Sequence, residues 1–186
     1  MPGPLPKLIR DLSVHEFFRT HATFPNNRGQ DLNLAAKFLL MEHKDGFANL
    51  KKTDLDRFVL NNEATSPTTF GMVFEVASEN LNRMNQVFFL KDPLLRPQAQ
   101  LPVYYWLVKT RTDGECERLR AFLVEFEQAR LEAREVSRAR AAGETDEQPD
   151  LELMEYNAAV RTPDDRTKQQ FMFEVLIRRF TVFLRS

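Results

Sequence analysis

Histidine, cysteine and paired carboxylates are the residue types that could perform chemistry here, and their spacing matches no established kind of site. The three histidines, His15, His21 and His43, lie in neither HxH nor HxxxH spacing, which would let two imidazoles bind one metal ion. Cys116 is the only cysteine, so it can form neither an internal disulfide nor a zinc cluster. We therefore expect no metal ion, no cofactor and no catalytic residue in this chain.

Two close pairs of aspartates could act as an acid and a base or bind a cation. Asp54 with Asp56 and Asp164 with Asp165 each lie in the predicted first turn of a helix. Free backbone amides and the helix dipole stabilise carboxylates there, so capping explains both pairs without a function. The sequence contains neither GxxxxGK[ST] nor GxGxxG, the loops that cradle phosphates. An enzyme would need a site assembled from scattered residues, which metal analysis of the purified protein would test.

Cations are the more informative residues. Arginines recur every four residues along one predicted helix, and further cations crowd the C-terminal segment. Such stripes can neutralise phosphates, but they also occur on the solvated faces of ordinary helices. The aromatic cluster Tyr104, Tyr105 and Trp106 is a candidate for stacking on bases. The candidate nucleic-acid or partner contacts are Arg130, Arg134, Arg138, Arg161, Arg166, Lys168, Arg178 and Arg179.

The composition limits the class of protein. Of the 186 residues 42% are hydrophobic, which is enough for a core, and 26 cations nearly balance 27 anions. A net charge of -1 argues against a globally basic nucleic-acid-binding protein but permits local basic patches. No apolar stretch reaches the roughly 18 residues of a membrane span, and the start lacks an apolar signal core. We therefore expect a cytoplasmic protein with no membrane contact.

The elements that must position these residues are helical. The spacing of apolar residues predicts an all-α fold, an irregular bundle of about seven or eight helices. Ser13 and Glu16 have the spacing of a capping box, so residues 1–12 read as a lead-in or linker before a single domain over 13–186. Ser66 followed by Pro67 indicates the start of a long buried helix. The segment LPVYYWLVK fits either a strand or a short helix.

The C-terminal half contains the most charged element. From Glu115 to about Ala141 the sequence predicts a long helix whose second half projects from the body. A polar, acidic stretch over about 141–150 follows, which we expect to be a mobile loop. Thr162 to Asp165 then begin a last helix with a wide apolar face.

The order of the segments NNRGQDLNLAAKFLLMEHKDG, LNRMNQVFFLKDPLLRP and RTPDDRTKQQFMFEVLIRRF resembles the helical C-terminal part of a bacterial protein family. That family carries a ParB/sulfiredoxin-like nuclease domain and includes the GmrSD-type restriction proteins. The resemblance implies that Arg28 and Asp31 open a helix and that Asp165 begins the last one. In the family this last helix contains an arginine, which here would be Arg178 or Arg179. The family's catalytic elements, a DGQQR-type motif and an HNH domain, do not occur in this sequence, so no catalytic residue carries over.

The sequence is therefore compatible with two alternative functions. The first is a non-catalytic helical module of a defence-type, nucleic-acid-directed protein, in contact with DNA or a nuclease-like domain. In this hypothesis Arg178 and Arg179 contact DNA. The alternative is a protein interaction or assembly domain without a nucleic-acid role, in which the long helix presents Arg130, Arg134 and Arg138 to a partner.

Overall fold

The computed structural model describes residues 3–24 and 29–186, and this part of the chain is helical with no strand. The predicted all-α bundle of about eight helices is confirmed. A π-helical turn spans Phe17–His21, and two 3₁₀ turns span Pro93–Leu95 and Gln98–Gln100. The α-helices are α1 (Leu5–Ser13), α2 (Gln30–Lys44), α3 (Lys52–Asn61), α4 (Pro67–Val87), α5 (Leu101–Lys109), α6 (Asp113–Ala141), α7 (Leu151–Ala159) and α8 (Arg166–Phe183).

The predicted lead-in over residues 1–12 is wrong from Leu5 onward. The α1 helix packs on α2 and α4 and buries Leu5 and Leu12 completely, so the packed domain includes it. Proline in the first turn, which suggested a linker, is tolerated because amides there have no partner within the helix. Ser13 caps no following helix: it ends α1, and its hydroxyl donates to the carbonyl oxygen of Arg10.

The α5 helix lies at the centre of the bundle and contacts α2, α4 and α8. Every residue from Leu101 to Val108 is buried, which decides the ambiguous segment in favour of a helix. A helix that is apolar on all sides belongs in a core. Because Tyr104, Tyr105 and Trp106 are buried there, the prediction that they stack on bases is wrong.

The long charged helix α6 begins with a capping box between Thr112 and Glu115. Its apolar residues face the core as far as Ala133, and no residue from 134 to 141 is buried. The projecting part is therefore about two turns, less than the predicted second half. No helix in the described ranges is long and apolar enough to cross a membrane.

Candidate nucleic-acid interface

Arg130 is a buried structural residue, contrary to its prediction as a surface contact. Its Nε and Nη2 donate to the Asn157 side-chain oxygen at 3.0 and 2.8 Å, and its Nη1 donates to Gln100 at 2.7 Å. The same Nη1 forms an ion pair with Glu127 at 2.6 Å, and the guanidinium lies 4.7 Å from the Tyr156 ring. Arg130 is buried because α7 packs on α6 and covers the part of the arginine stripe where Arg130 lies.

Arg178 and Arg179 are compensated within the fold. Arg179 donates to Asp150 and to Glu152, each at 2.7 Å, and Arg178 also pairs with Glu152. Partial burial alone would raise the pKa of both carboxyls, but the hydrogen bonds from the arginines outweigh it and lower both pKa values. These pairs join the start of α7 to the end of α8, so the two arginines have a structural role that the sequence alone did not indicate.

Arg134 and Arg138 lie on the projecting end of α6. Both are exposed, and neither forms an ion pair with any residue that the structure describes. They are separated from the remaining candidates by the buried Arg130 network, so the predicted stripe of three arginines is reduced to two exposed ones.

Arg161, Arg166 and Lys168 are brought together by the turn between α7 and α8, where Lys51 joins them from the turn between α2 and α3. The two turns are held together by backbone and side-chain bonds: the Leu50 N–H donates to the Asp164 carbonyl at 2.8 Å. We call these four cations, Lys51, Arg161, Arg166 and Lys168, the turn cluster. All are exposed, and within residues 3–24 and 29–186 none of them forms an ion pair.

A cleft of about 370 Å³ opens at the turn cluster. Lys51, Arg161 and Lys168 line this cleft. The two aspartates in its wall are already engaged: Asp164 pairs with Lys37 at 2.5 Å, and Asp165 caps α8 by accepting the Lys168 N–H at 3.2 Å. The predicted capping role of Asp165 is thereby confirmed, and the cleft has an excess of positive charge.

A second cleft, of about 410 Å³, opens between the end of α2 and α3. We call it the His43 cleft. The segment 48–51 separates it from the first, because Ala48 and Asn49 line one cleft and Lys51 the other. Burial, and then the nearby Lys44 ammonium, lower the pKa of His43, so its imidazole is neutral at pH 7. The residues that line the His43 cleft are Leu40, His43, Lys44, Ala48, Asn49, Asp54, Arg57, Phe58, Asn61 and Asn62.

Of the residues that could perform chemistry, His43 and Asp54 line the second cleft and Asp164 and Asp165 line the first, whereas Cys116 lines neither of them. Burial raises the pKa of the half-buried Cys116 thiol, so the nucleophilic thiolate is scarce at neutral pH. No group of three or more histidine, cysteine or acidic side chains in the described ranges could hold a metal ion. Of the pair that the family resemblance implies, Arg28 lies outside the described residues, and Asp31 lies in the first turn of α2.

No family model matches the chain, and comparison with curated proteins and with solved structures finds no significant match. The resemblance to the GmrSD-type restriction proteins therefore stays a prediction.

Proposed function

We propose that the protein is a non-catalytic helical module of a nucleic-acid-directed protein and that the turn cluster contacts the phosphate backbone. The observation that carries the proposal is the concentration of four exposed cations on two adjoining turns, three of which line one cleft and none of which forms an ion pair within the described ranges. Elsewhere in the described ranges Arg130, Arg178 and Arg179 are neutralised by carboxylates of the same chain. The resemblance to GmrSD-type restriction proteins supports a bacterial defence setting for this role.

Phosphate contacts have a measurable signature. Each neutralised phosphate of duplex DNA contributes about 0.9 to the slope of log affinity against log salt. Four contacts would therefore give a slope of about -3 to -4 and binding with little sequence preference. Because the chain carries a net charge of -1, such binding must come from this local cluster and not from the molecule's overall field.

Two matched pairs of charge reversals test the proposal. Arg161→Glu with Lys168→Glu removes half of the turn cluster, whereas Arg134→Glu with Arg138→Glu changes the same charge on the exposed end of α6. Binding is measured by fluorescence-anisotropy titrations with labelled duplex DNA at several salt concentrations. The first pair should weaken binding at least about tenfold and make the salt slope shallower by about 2. The second pair should change the affinity less than about threefold.

Two results would contradict this function. One is the absence of DNA binding, to duplex and to single strand, even at low salt, and the other is an equal loss of affinity in both pairs, which would indicate a general charge effect. Circular dichroism and unfolding curves of each variant establish that the helical fold is retained.

A second candidate function, protein association, is favoured by the pattern of charges at the end of α6. Exposed Glu132 and Glu135 alternate there with exposed Arg134 and Arg138, beside Leu131, which is 51% exposed. An antiparallel copy of the same helix would place acids against arginines. The partner we propose for this surface is therefore a second copy of the chain.

A further inference from the structure

The His43 cleft has the walls of a site for a flat aromatic ring. The His43 ring lies 5.3 Å from both Phe58 and Phe70, so it packs against two buried aromatic rings. Leu40 and Phe58 are buried and give the cleft an apolar floor. A volume of about 410 Å³ lies in the range of small-molecule sites, about 300–1,000 Å³.

The cleft also offers amide groups that have no partner in the described chain. Asn61 is exposed at the end of α3, and its side chain forms no hydrogen bond with any residue that the structure describes. Asn49 accepts the Arg166 N–H at 3.1 Å through its oxygen, which leaves its NH₂ group free. Asn62, by contrast, is engaged with the Phe58 carbonyl at 2.7 Å and only shapes the wall. Asparagine amides can pair with the edge of a base through both of their polar atoms.

Cations continue from this cleft to the turn cluster. Lys44 and Arg57 line the His43 cleft, and Arg57 is held only loosely by Asp54, at 3.7 Å. Lys51 lies two residues from Asn49, on the other side of the wall that separates the two clefts. A ligand that combines a flat ring, a hydrogen-bonding edge and adjacent phosphates fits both clefts together.

We propose that the His43 cleft binds the unpaired base of a nucleotide whose phosphates contact the turn cluster. The inference rests on the proposed function and narrows its ligand to single-stranded or extruded nucleotides, since bases paired in a duplex cannot enter the cleft. The base stacks on His43, and the Asn61 amide binds its edge.

The test compares three labelled ligands by fluorescence anisotropy at one salt concentration. They are a single strand of about 12 nucleotides, the same strand with abasic sites, and the corresponding duplex. The intact strand should bind about tenfold more tightly than the abasic strand, because stacking and edge contacts are lost without the base. Equal affinities for the intact and abasic strands would overturn the inference.

Asn61→Leu should remove most of the preference for the intact strand, whereas Asn33→Leu should leave it unchanged. Asn33 is a matched control because it is exposed and lies near the other end of α2. His43→Ala should act like Asn61→Leu, and chemical shifts of the His43 ring should move on addition of the intact strand only. If Asn61→Leu and Asn33→Leu behave alike, the inference fails.

Nucleoside monophosphates as competitors distinguish the two sources of the ligand. If the monophosphates compete with the intact strand, the site also binds free nucleotides. If they do not compete but strand binding still depends on the base, the site binds only strands. Duplex binding that depends on Arg161 and Lys168, without any base dependence, would leave the proposed function standing and reject the base site. The absence of binding to all three ligands would reject both.

Discussion

At the scale of single residues, Arg130 shows what a buried guanidinium requires. Its N–H groups are distributed over Gln100, Glu127 and Asn157, and its flat face lies against Tyr156. Gln100 also accepts the hydroxyl of Tyr156 at 3.2 Å, so the network joins the start of α5 to α6 and α7. Burial keeps this tyrosine neutral by raising its pKa far above the ordinary value.

Arg130→Met should destabilise the fold by about 3 kcal/mol, because it leaves Glu127 partly buried without its counter-ion and the Asn157 side-chain oxygen without its donor. Urea unfolding followed by circular dichroism should show a lower midpoint with an unchanged slope. Arg134→Met, one turn further along α6, is the matched control and should stay within about 0.5 kcal/mol of the wild type. Equal effects of the two substitutions would show that the Arg130 network contributes no stability.

At the scale of elements, α7 depends on its neighbours. A helix of nine residues is marginal in isolation, so α7 is stabilised by packing on α6 and α8 and by Asp150, which accepts the Leu153 N–H. The ion pairs of Asp150 and Glu152 with Arg179 connect its first turn to α8. These contacts give the two arginines, predicted as ligands of DNA, a structural role between α7 and α8 at the protein surface.

The same ion pairs predict a dependence of stability on pH. The pKa values of Asp150 and Glu152 are lowered in the folded state, so their contribution is present above the unfolded values, about 4, and is lost as the pH falls through the folded ones. Arg179→Gln should therefore cost about 1 kcal/mol at pH 7, a modest value because the partners are partly exposed and screened. The difference from wild type should shrink steadily below about pH 4.

Urea unfolding curves of wild type and Arg179→Gln, measured from neutral pH down to about pH 3, follow this difference. Arg134→Gln removes an unpaired arginine and should show no such trend. A cost of Arg179→Gln that stays constant over the whole pH range would mean that the arginine acts through packing and not through charge.

The elements predicted correctly from the sequence are those with local signals. Ser66 accepts the Thr68 N–H and begins α4, and Asp165 begins α8, because a cap lies within three residues of the amide that it satisfies. The α1 helix was missed since its prolines resemble a linker, and only packing on α2 and α4 shows it to be part of the bundle.

The candidate site was predicted only in part, because its geometry depends on contacts that are distant in sequence. The charges in the C-terminal segment identified Arg161, Arg166 and Lys168 but not Lys51. Lys51 comes close to them only because the two turns are in contact, as between Asn49 and Arg166, which are 117 residues apart in sequence. Likewise nothing near Arg130 in sequence indicates that Asn157, 27 residues away, covers it. Local spacing identifies cations, whereas tertiary packing decides which of them stay free.

At the scale of the whole molecule, two surfaces carry groups of exposed cations that form no ion pair within the described ranges. One is the turn cluster between the ends of four helices, and the other is the end of α6 from Leu131 onward. The first has a cleft and unbalanced positive charge, which suits an anionic ligand. The second has charges of both signs, which suits a protein surface that complements itself.

Self-association through the end of α6 is the prediction at this scale. If two copies pair in antiparallel fashion, the light-scattering mass should rise with concentration and fall with added salt. Arg134→Glu with Arg138→Glu should abolish the rise, because it places acids opposite Glu132 and Glu135 of the partner copy. Glu132→Arg with Glu135→Arg should do the same, and mixing the two variants should restore association. A constant monomer mass at every concentration, or association that both variants leave unchanged, would reject this surface as an interface between copies.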